Sequence, residues 1–130
     1  MYDKETIKRW QTERDAIDDF MRQHREDWRG GRSLYVPLYG DVSHSIYEYL
    51  SQRWMDFEFV EFIANEGRDD DLRANAIENI ATIVIAVSDN ADDMKKLMVD
   101  CSKAGVPFVI FSWVEDVFRV YVQSPTLDIA

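Results

Sequence analysis

The sequence has little of what marks several protein classes. Its 130 residues include one cysteine, three prolines and five glycines. A single cysteine, Cys101, excludes an internal disulfide and a multi-cysteine zinc site, and it fits a reducing compartment. Because long apolar runs are missing and the N-terminus lacks an apolar core, neither a transmembrane helix nor a secretion signal is expected. The sequence therefore predicts a cytoplasmic protein with no membrane partner.

Basic residues are too few to balance the acidic ones. The chain has 15 Lys and Arg against 25 Asp and Glu, a net charge of −10. Residues 1–32 carry eight of each sign, so the whole excess lies in residues 33–130. A nucleic-acid binder needs Lys and Arg to neutralise phosphates, so we expect no nucleic-acid partner. The acidic body either keeps the protein in solution or docks on a basic protein partner.

An apolar stripe with helical spacing dominates the N-terminal quarter. It predicts one long helix over residues 3–29, capped by Asp3 and ended by the glycines at 30 and 31. At about 1.5 Å per residue such a helix approaches 40 Å, whereas five strands span about 25 Å. One end should therefore overhang and pair with a second copy as a homodimer. The predicted interface residues are Ile7, Trp10, Ile17, Met21 and Trp28.

The remaining chain alternates between strand-like and helix-like segments. Predicted strands are 34–39, 57–63, 82–87, 106–111 and 117–122, and predicted helices are 43–54, 72–79 and 92–103. The β-branched run 82–87 is typical of a strand buried on both faces. The five residues before 117 are too few for a crossover helix, so the last strand should be antiparallel. Pro37 predicts that its strand is an edge strand or contains a bulge.

These elements predict an α/β fold. We expect a three-layer sandwich around a mostly parallel sheet of about five strands, with the last strand antiparallel and a long helix in front. The prediction is a single domain over residues 1–130. Within it, helix 3–29 precedes an α/β body at 33–123, and 124–130 form a tail.

Polar residues gather where the predicted parallel strands end, which is where open α/β sheets bind ligands. The candidate catalytic residues are Asp41, His44, Glu66 and Asp89, and the candidate ligand-binding residues are Tyr39, Ser43, Ser88, Asn90 and Trp113. Asp41 and His44 could form an acid–base pair, while Ser43 and residues 88–90 also suit helix caps and turns. Neither GxGxxG nor GxxxxGK[ST] occurs, and the two histidines are isolated. We therefore expect no cofactor and no metal.

Two segments resemble parts of known families. Residues 80–111 resemble the strand–helix–strand stretch of Rossmann-like proteins. Their pattern is similar to that of periplasmic sugar-binding proteins and also to that of L7Ae-type RNA-binding domains, a function that the acidic body disfavours. Residues 35–40, Tyr-Val-Pro-Leu-Tyr-Gly, are similar to a strand near the N-terminus in the nucleoside deoxyribosyltransferase and TIR group. This resemblance would imply a glycosidic-bond site with a glutamate on a later helix. The helix predicted over 92–103 has Asp92, Asp93 and Asp100 but no glutamate.

Two functions of different classes follow. The first is a non-enzymatic acidic α/β protein that acts through protein–protein interaction as a dimer. The alternative is a small-molecule-binding protein or an enzyme that cleaves or transfers glycosidic bonds, with its site at the carboxyl ends of the parallel strands. A cleft with convergent carboxylates would favour the second, and a flat apolar patch along residues 7–28 would favour the first.

Overall fold

A five-stranded sheet with helices on both faces forms the body of the protein. The computed structural model describes residues 3–28, 30–37, 43–62, 70–88, 90–114 and 117–123. The helices are α1 (Lys4–Gln23), α2 (Arg25–Trp28), α3 (Ser43–Arg53), α4 (Asp70–Ile80) and α5 (Ala91–Ala104). The strands are β1 (Arg32–Pro37), β2 (Glu58–Glu61), β3 (Ile83–Ser88), β4 (Phe108–Val114) and β5 (Val117–Gln123).

The strand order is β2-β1-β3-β4-β5. Strands β1 to β4 are parallel, and β5 pairs with β4 antiparallel. This arrangement confirms the α/β fold expected from the sequence, including its antiparallel last strand. The order 2-1-3-4-5 is one of the two common doubly wound arrangements. The chain adds β2 on one side of β1 and then adds β3, β4 and β5 on the other side, so the strand order reverses between β1 and β3.

The two faces of the sheet carry separate cores because side chains alternate along each strand. On β3, Ile83, Ile85 and Val87 face a first core that contains residues of α1 and α3. Val84 and Ala86 face a second core that contains residues of α4 and α5. Every residue of β3 is buried, as its β-branched run predicts.

Helix α1 covers the part of the first face that the crossover helices leave bare. Both α4 and α5 pack on the second face, so α3 is the one crossover helix of the described residues that packs on the first. Phe20 of α1 meets Phe111 of β4 edge to face, with ring centroids 6.3 Å apart. Ile17 and Met21 are 0% and 1% exposed in the same core. Burying such side chains contributes roughly 1.5–3 kcal/mol each.

The placement of α1 corrects part of the predicted interface. Ile17 and Met21 belong to the protein's own core and leave no surface for a second chain. Trp10 is partly buried against that core, and Ile7 is 42% exposed. The side chain of Trp28 lies outside the described residues. The sequence pattern was right about an apolar stripe, but the stripe packs on the sheet because the crossover helices do not cover that surface.

Two further details differ from the sequence-based expectation. The predicted helix 3–29 is interrupted at His24, whose φ of −116° and ψ of 18° end α1 before the short α2 begins. Pro37 lies in an interior strand, not at an edge. The pairing of β1 with β2 ends at Tyr35 and Glu61, whereas its pairing with β3 runs without interruption to Pro37. The proline is tolerated because it is the last residue of β1, beyond the register with β2.

Asp18 joins α1 to α3. It is 7% exposed. Its Oδ1 accepts hydrogen bonds from Nε1 of Trp54 at 2.9 Å and from Nε of Arg53 at 2.8 Å. Its Oδ2 accepts one from Nη2 of Arg22 at 2.8 Å. Two charge-assisted bonds and a buried indole donor therefore hold one carboxylate at the helix junction.

We expect Asp18→Ala to lower the free energy of unfolding by about 2–3 kcal/mol. The substitution leaves the buried indole N–H of Trp54 without its acceptor and removes two hydrogen bonds to a charged group. The matched control is Asp19→Ala, on the exposed side of α1, with an expected change within about 0.5 kcal/mol. Urea denaturation followed by circular dichroism measures both. Equal effects of the two substitutions would contradict the role assigned to Asp18.

Candidate functional site

The carboxyl ends of β1 and β3 form the candidate site. These two strands are neighbours, and the helices that follow them leave on opposite faces: α3 on the first face and α5 on the second. Diverging connections open a crevice between adjacent strand ends, where doubly wound proteins bind ligands. Helix α1 ends just before β1 begins, so its C-terminal end lies at the amino edge of the sheet. Its N-terminal half therefore lies near the carboxyl edge, where Nε1 of Trp113 on β4 donates to Glu13.

The structure describes three of the predicted site residues completely. Tyr39, Asp41, Glu66 and Asp89 lie outside the described residues. Ser43 and His44 form the first turn of α3, and their side chains also lie outside the description. Ser88, Asn90 and Trp113 are described and all lie at the carboxyl edge, on β3, at the start of α5 and on β4.

Ser88 and Asn90 are engaged in local hydrogen bonds. The Ser88 hydroxyl donates to the carbonyl oxygen of Asn90 at 2.9 Å and accepts from its N–H at 3.0 Å. Asn90 caps α5, since its Oδ1 accepts from the N–H groups of Asp92 at 2.9 Å and Asp93 at 3.3 Å. These residues therefore perform the capping and turn role that sequence analysis left open beside ligand binding. They also occupy amides that an anion would otherwise use.

Trp113 contacts α1. Its Nε1 donates to Oε1 of Glu13 at 2.6 Å. The guanidinium of Arg9 lies 4.6 Å from the Trp113 ring centroid, and the ring of Phe118 lies at 4.7 Å. Glu13 is 3% exposed, although it is a charged residue on a helix. A buried carboxylate needs partners of this kind, because desolvation penalises its charged form.

Tyr35 places a hydroxyl group in the first core beneath this edge. The residue is fully buried on β1, and its hydroxyl has no hydrogen-bond partner among the described residues. Burial, reinforced by the charges of Glu13 and Glu61, raises the pKa of Tyr35 above its ordinary value, so the group is a neutral donor. The buried Nε1 of Trp10 on α1 also lacks a partner there. Unsatisfied buried donors are rare and call for an explanation.

Sequence reasoning missed Glu13 and Tyr35 as site candidates. Glu13 lies between Trp10 and Ile17 on the apolar stripe, where a charged residue is out of place, and this was the available indication. Tyr35 lies within a hydrophobic run and resembles an ordinary core residue. Only the packing of α1 over the sheet brings their charges and hydroxyl close enough to influence each other.

Cys101 is a packing residue on α5, and burial raises the pKa of its thiol to about 12, with the charge of Asp100 adding to the shift. Asp100 in turn pairs with the buried Arg73 at 3.0 Å.

Within the described ranges no group of three or more His, Cys, Asp and Glu residues could hold a metal ion. In the same ranges, no helix has the length and apolar character needed to cross a bilayer. No protein-family model and no curated protein matches the sequence.

We expect Tyr35→Phe to raise the free energy of unfolding by about 1 kcal/mol. Removing a buried hydroxyl that has no partner relieves a desolvation cost while it keeps the packing of the ring. The control is Tyr47→Phe, which removes a hydrogen bond to the carbonyl oxygen of Phe59 at 3.4 Å and should be slightly destabilising. Chemical denaturation of both variants checks the difference in sign. A loss of 1 kcal/mol or more in Tyr35→Phe would contradict the unsatisfied state of the hydroxyl.

We expect the Cys101 thiol to resist modification in the folded protein. At pH 8 a buried thiol with a pKa of about 12 presents almost no thiolate, which is the reactive form. The unfolded chain ionises first, near 9.0, so this group's contribution to stability is complete below pH 9 and is lost as pH rises toward 12. Labelling with a disulfide reagent at pH 8, with and without urea, tests this. Fast labelling without urea would contradict the burial of the thiol.

Proposed function

We propose that the protein binds a small polar molecule, neutral or cationic, at the carboxyl ends of β1 and β3. The observation that carries this proposal is the reversal of strand order between these strands, with α3 and α5 leaving on opposite faces. In doubly wound sheets this position supplies a crevice without any special sequence motif. The absence of a known nucleotide motif is therefore compatible with a ligand site here.

The charge near the crevice supports a ligand without a negative charge. The segments that follow the strands contain Asp41, Glu66 and Asp89. The first turn of α5 adds Asp92 and Asp93, whose amides already donate to Asn90. A helix N-terminus attracts anions through free amides and the helix dipole. Here the amides are occupied and two carboxylates offset the dipole, so a phosphate group is disfavoured.

The buried donors beneath the edge support a ligand that accepts hydrogen bonds. Tyr35 stays protonated because its pKa is raised, and its hydroxyl and Nε1 of Trp10 are donors without partners among the described residues. Glu13, already bonded to Trp113, adds an acceptor nearby. A hydroxyl-bearing molecule such as a nucleoside or sugar offers both donors and acceptors. An acid–base role for Asp41 and His44 would extend binding to cleavage of a glycosidic bond.

Titration of the ¹⁵N-labelled protein with adenosine, D-ribose and adenosine monophosphate tests the proposal. We expect a neutral probe to shift the backbone amides of residues 33–37, 43–47 and 85–90, and the monophosphate to bind about tenfold more weakly. Tyr35→Phe should weaken the neutral probe about tenfold, although it stabilises the free protein, while Tyr47→Phe should not. If no neutral probe shifts these amides, or if the monophosphate binds best, the proposal is wrong.

A second candidate is the protein–protein interaction expected from the sequence, favoured by the net charge of −10. Because Ile17 and Met21 are buried, a homodimer would use the N-terminal part of α1, where Ile7 is 42% exposed.

A basic protein partner would bind less tightly as the salt concentration rises, since the Debye length falls from about 10 Å at 0.1 M to about 3 Å at 1 M. Light scattering at micromolar concentration, with Ile7→Ser against Val99→Ser as control, tests the homodimer. If light scattering shows a monomer whose size Ile7→Ser leaves unchanged, the homodimer hypothesis is wrong.

A further inference from the structure

Strand β5 lies at an edge of the sheet and leaves that edge open. All of its residues pair one to one with β4, from Val117 opposite Val114 to Gln123 opposite Phe108. It ends the strand order, and no other strand of the described residues pairs with its outer side. Alternate N–H and C=O groups of an edge strand point away from its neighbour and can bond to another extended chain. The occupant that fits this edge is therefore a strand.

Most of the features that protect an edge strand are missing from β5. The segment 117–123, Val-Phe-Arg-Val-Tyr-Val-Gln, contains no proline, no glycine and no acidic residue. Its uninterrupted register with β4 leaves no room for a bulge. Natural sheets avoid edge-to-edge pairing with short strands, prolines, bulges and charges. The opposite edge strand, β2, is short and carries two glutamates, whereas β5 is longer and has one charged residue, Arg119.

Apolar side chains are exposed on both faces of β5. Val120 pairs with Phe111 of the first core, so it lies on the first face, and it is 48% exposed. Val117 lies on the second face, because side chains alternate along a strand, and it is 52% exposed. Phe118 and Tyr121 pack partly against the first and the second core. A strand added at this edge would bury the remaining apolar surface on both faces.

The charges of the protein limit which strand can be added. Arg119 is the single charged residue of β5, and like charges opposite each other on neighbouring strands are destabilising, so a basic segment is disfavoured. The net charge of −10 repels a strongly acidic segment. An apolar strand with little charge remains. Strand β5 itself has this composition.

We propose that β5 pairs antiparallel with β5 of a second copy of this chain, about a twofold axis at Val120, so that two five-stranded sheets join into one. Val120 then faces Val120 of the second copy on the first face. On the second face, Arg119 lies opposite Tyr121 of the second copy, and a guanidinium beside an aromatic ring is a favourable cross-strand pair. A pairing centred on Arg119 would instead place two guanidinium groups opposite each other. This interface uses none of the residues of the α1 contact considered above.

Sedimentation at increasing protein concentration tests this pairing. One strand pair is a small contact beside the roughly 800 Å² per partner of a stable interface, so we expect a dimer with a dissociation constant in the micromolar range. Raising the salt concentration from about 0.1 M to about 1 M should tighten the dimer, because screening weakens the repulsion between two acidic chains. A basic partner would show the opposite dependence. A monomer at about 100 µM, or a dimer that weakens as salt rises, would overturn the proposal.

Charged substitutions at the twofold axis identify the interface. Val120→Lys places two lysines opposite each other and should weaken the dimer about tenfold or more. Val99→Lys is the matched control, since it adds the same charge at a similarly exposed valine on α5 and should leave the dimer intact. Circular dichroism confirms that each variant is folded.

A mixture of two variants tests the register itself. Val120→Glu should also dissociate the dimer, because two carboxylates then face each other. An equimolar mixture of Val120→Lys and Val120→Glu should recover the dimer, since opposite charges meet at the axis. If Val120→Lys leaves the dimer unchanged, if Ile7→Ser dissociates it instead, or if the mixture stays monomeric, β5 does not pair with a second copy in this way.

Discussion

The attachment of α1 to the first face of the sheet is the constraint on which the rest of the structure depends. Without it, Phe111 and its neighbours on β3 and β4 would lose their cover, because α4 and α5 both occupy the opposite face. Ile17, Phe20 and Met21 supply the apolar part of this contact. Asp18 supplies the polar part by accepting hydrogen bonds from Arg53, the last residue of α3, and from Trp54, which follows it. Apolar burial provides most of the free energy, and the carboxylate fixes the register of the two helices.

The same attachment creates the chemistry of the candidate site. Docking α1 buries Glu13 against Trp113 and brings its charge near the hydroxyl of Tyr35. Burying the Glu13 carboxylate costs desolvation energy even with its partner, and the buried Tyr35 hydroxyl has no hydrogen-bond partner among the described residues. Natural proteins retain such groups where function needs them, at some loss of stability. Both groups lie near the point where the strand order reverses, which is where the ligand site is proposed.

The sequence by itself determined the elements and the sheet type. The spacing of hydrophobic residues separated the helices from the strands, and the β-branched run at 82–87 marked the buried central strand. The short link before residue 117 required an antiparallel partner for the last strand. These features are local, so local patterns encode them. It also indicated that Ser88, Asn90 and Trp113 would share the carboxyl edge of the sheet.

Tertiary structure alone decided which surface the apolar stripe of α1 would cover, why Pro37 can lie in an interior strand, and how the charge of Glu13 comes to act on Tyr35. A stripe of apolar residues predicts that one face of a helix will be buried, but it does not indicate which surface will cover that face. Strand order depends on contacts between residues far apart in the chain, and these leave no periodic trace in the sequence. Glu13 and Tyr35 are 22 positions apart, and only the packing of a helix on the sheet brings the charge of Glu13 close enough to add to the effect of burial on the pKa of Tyr35.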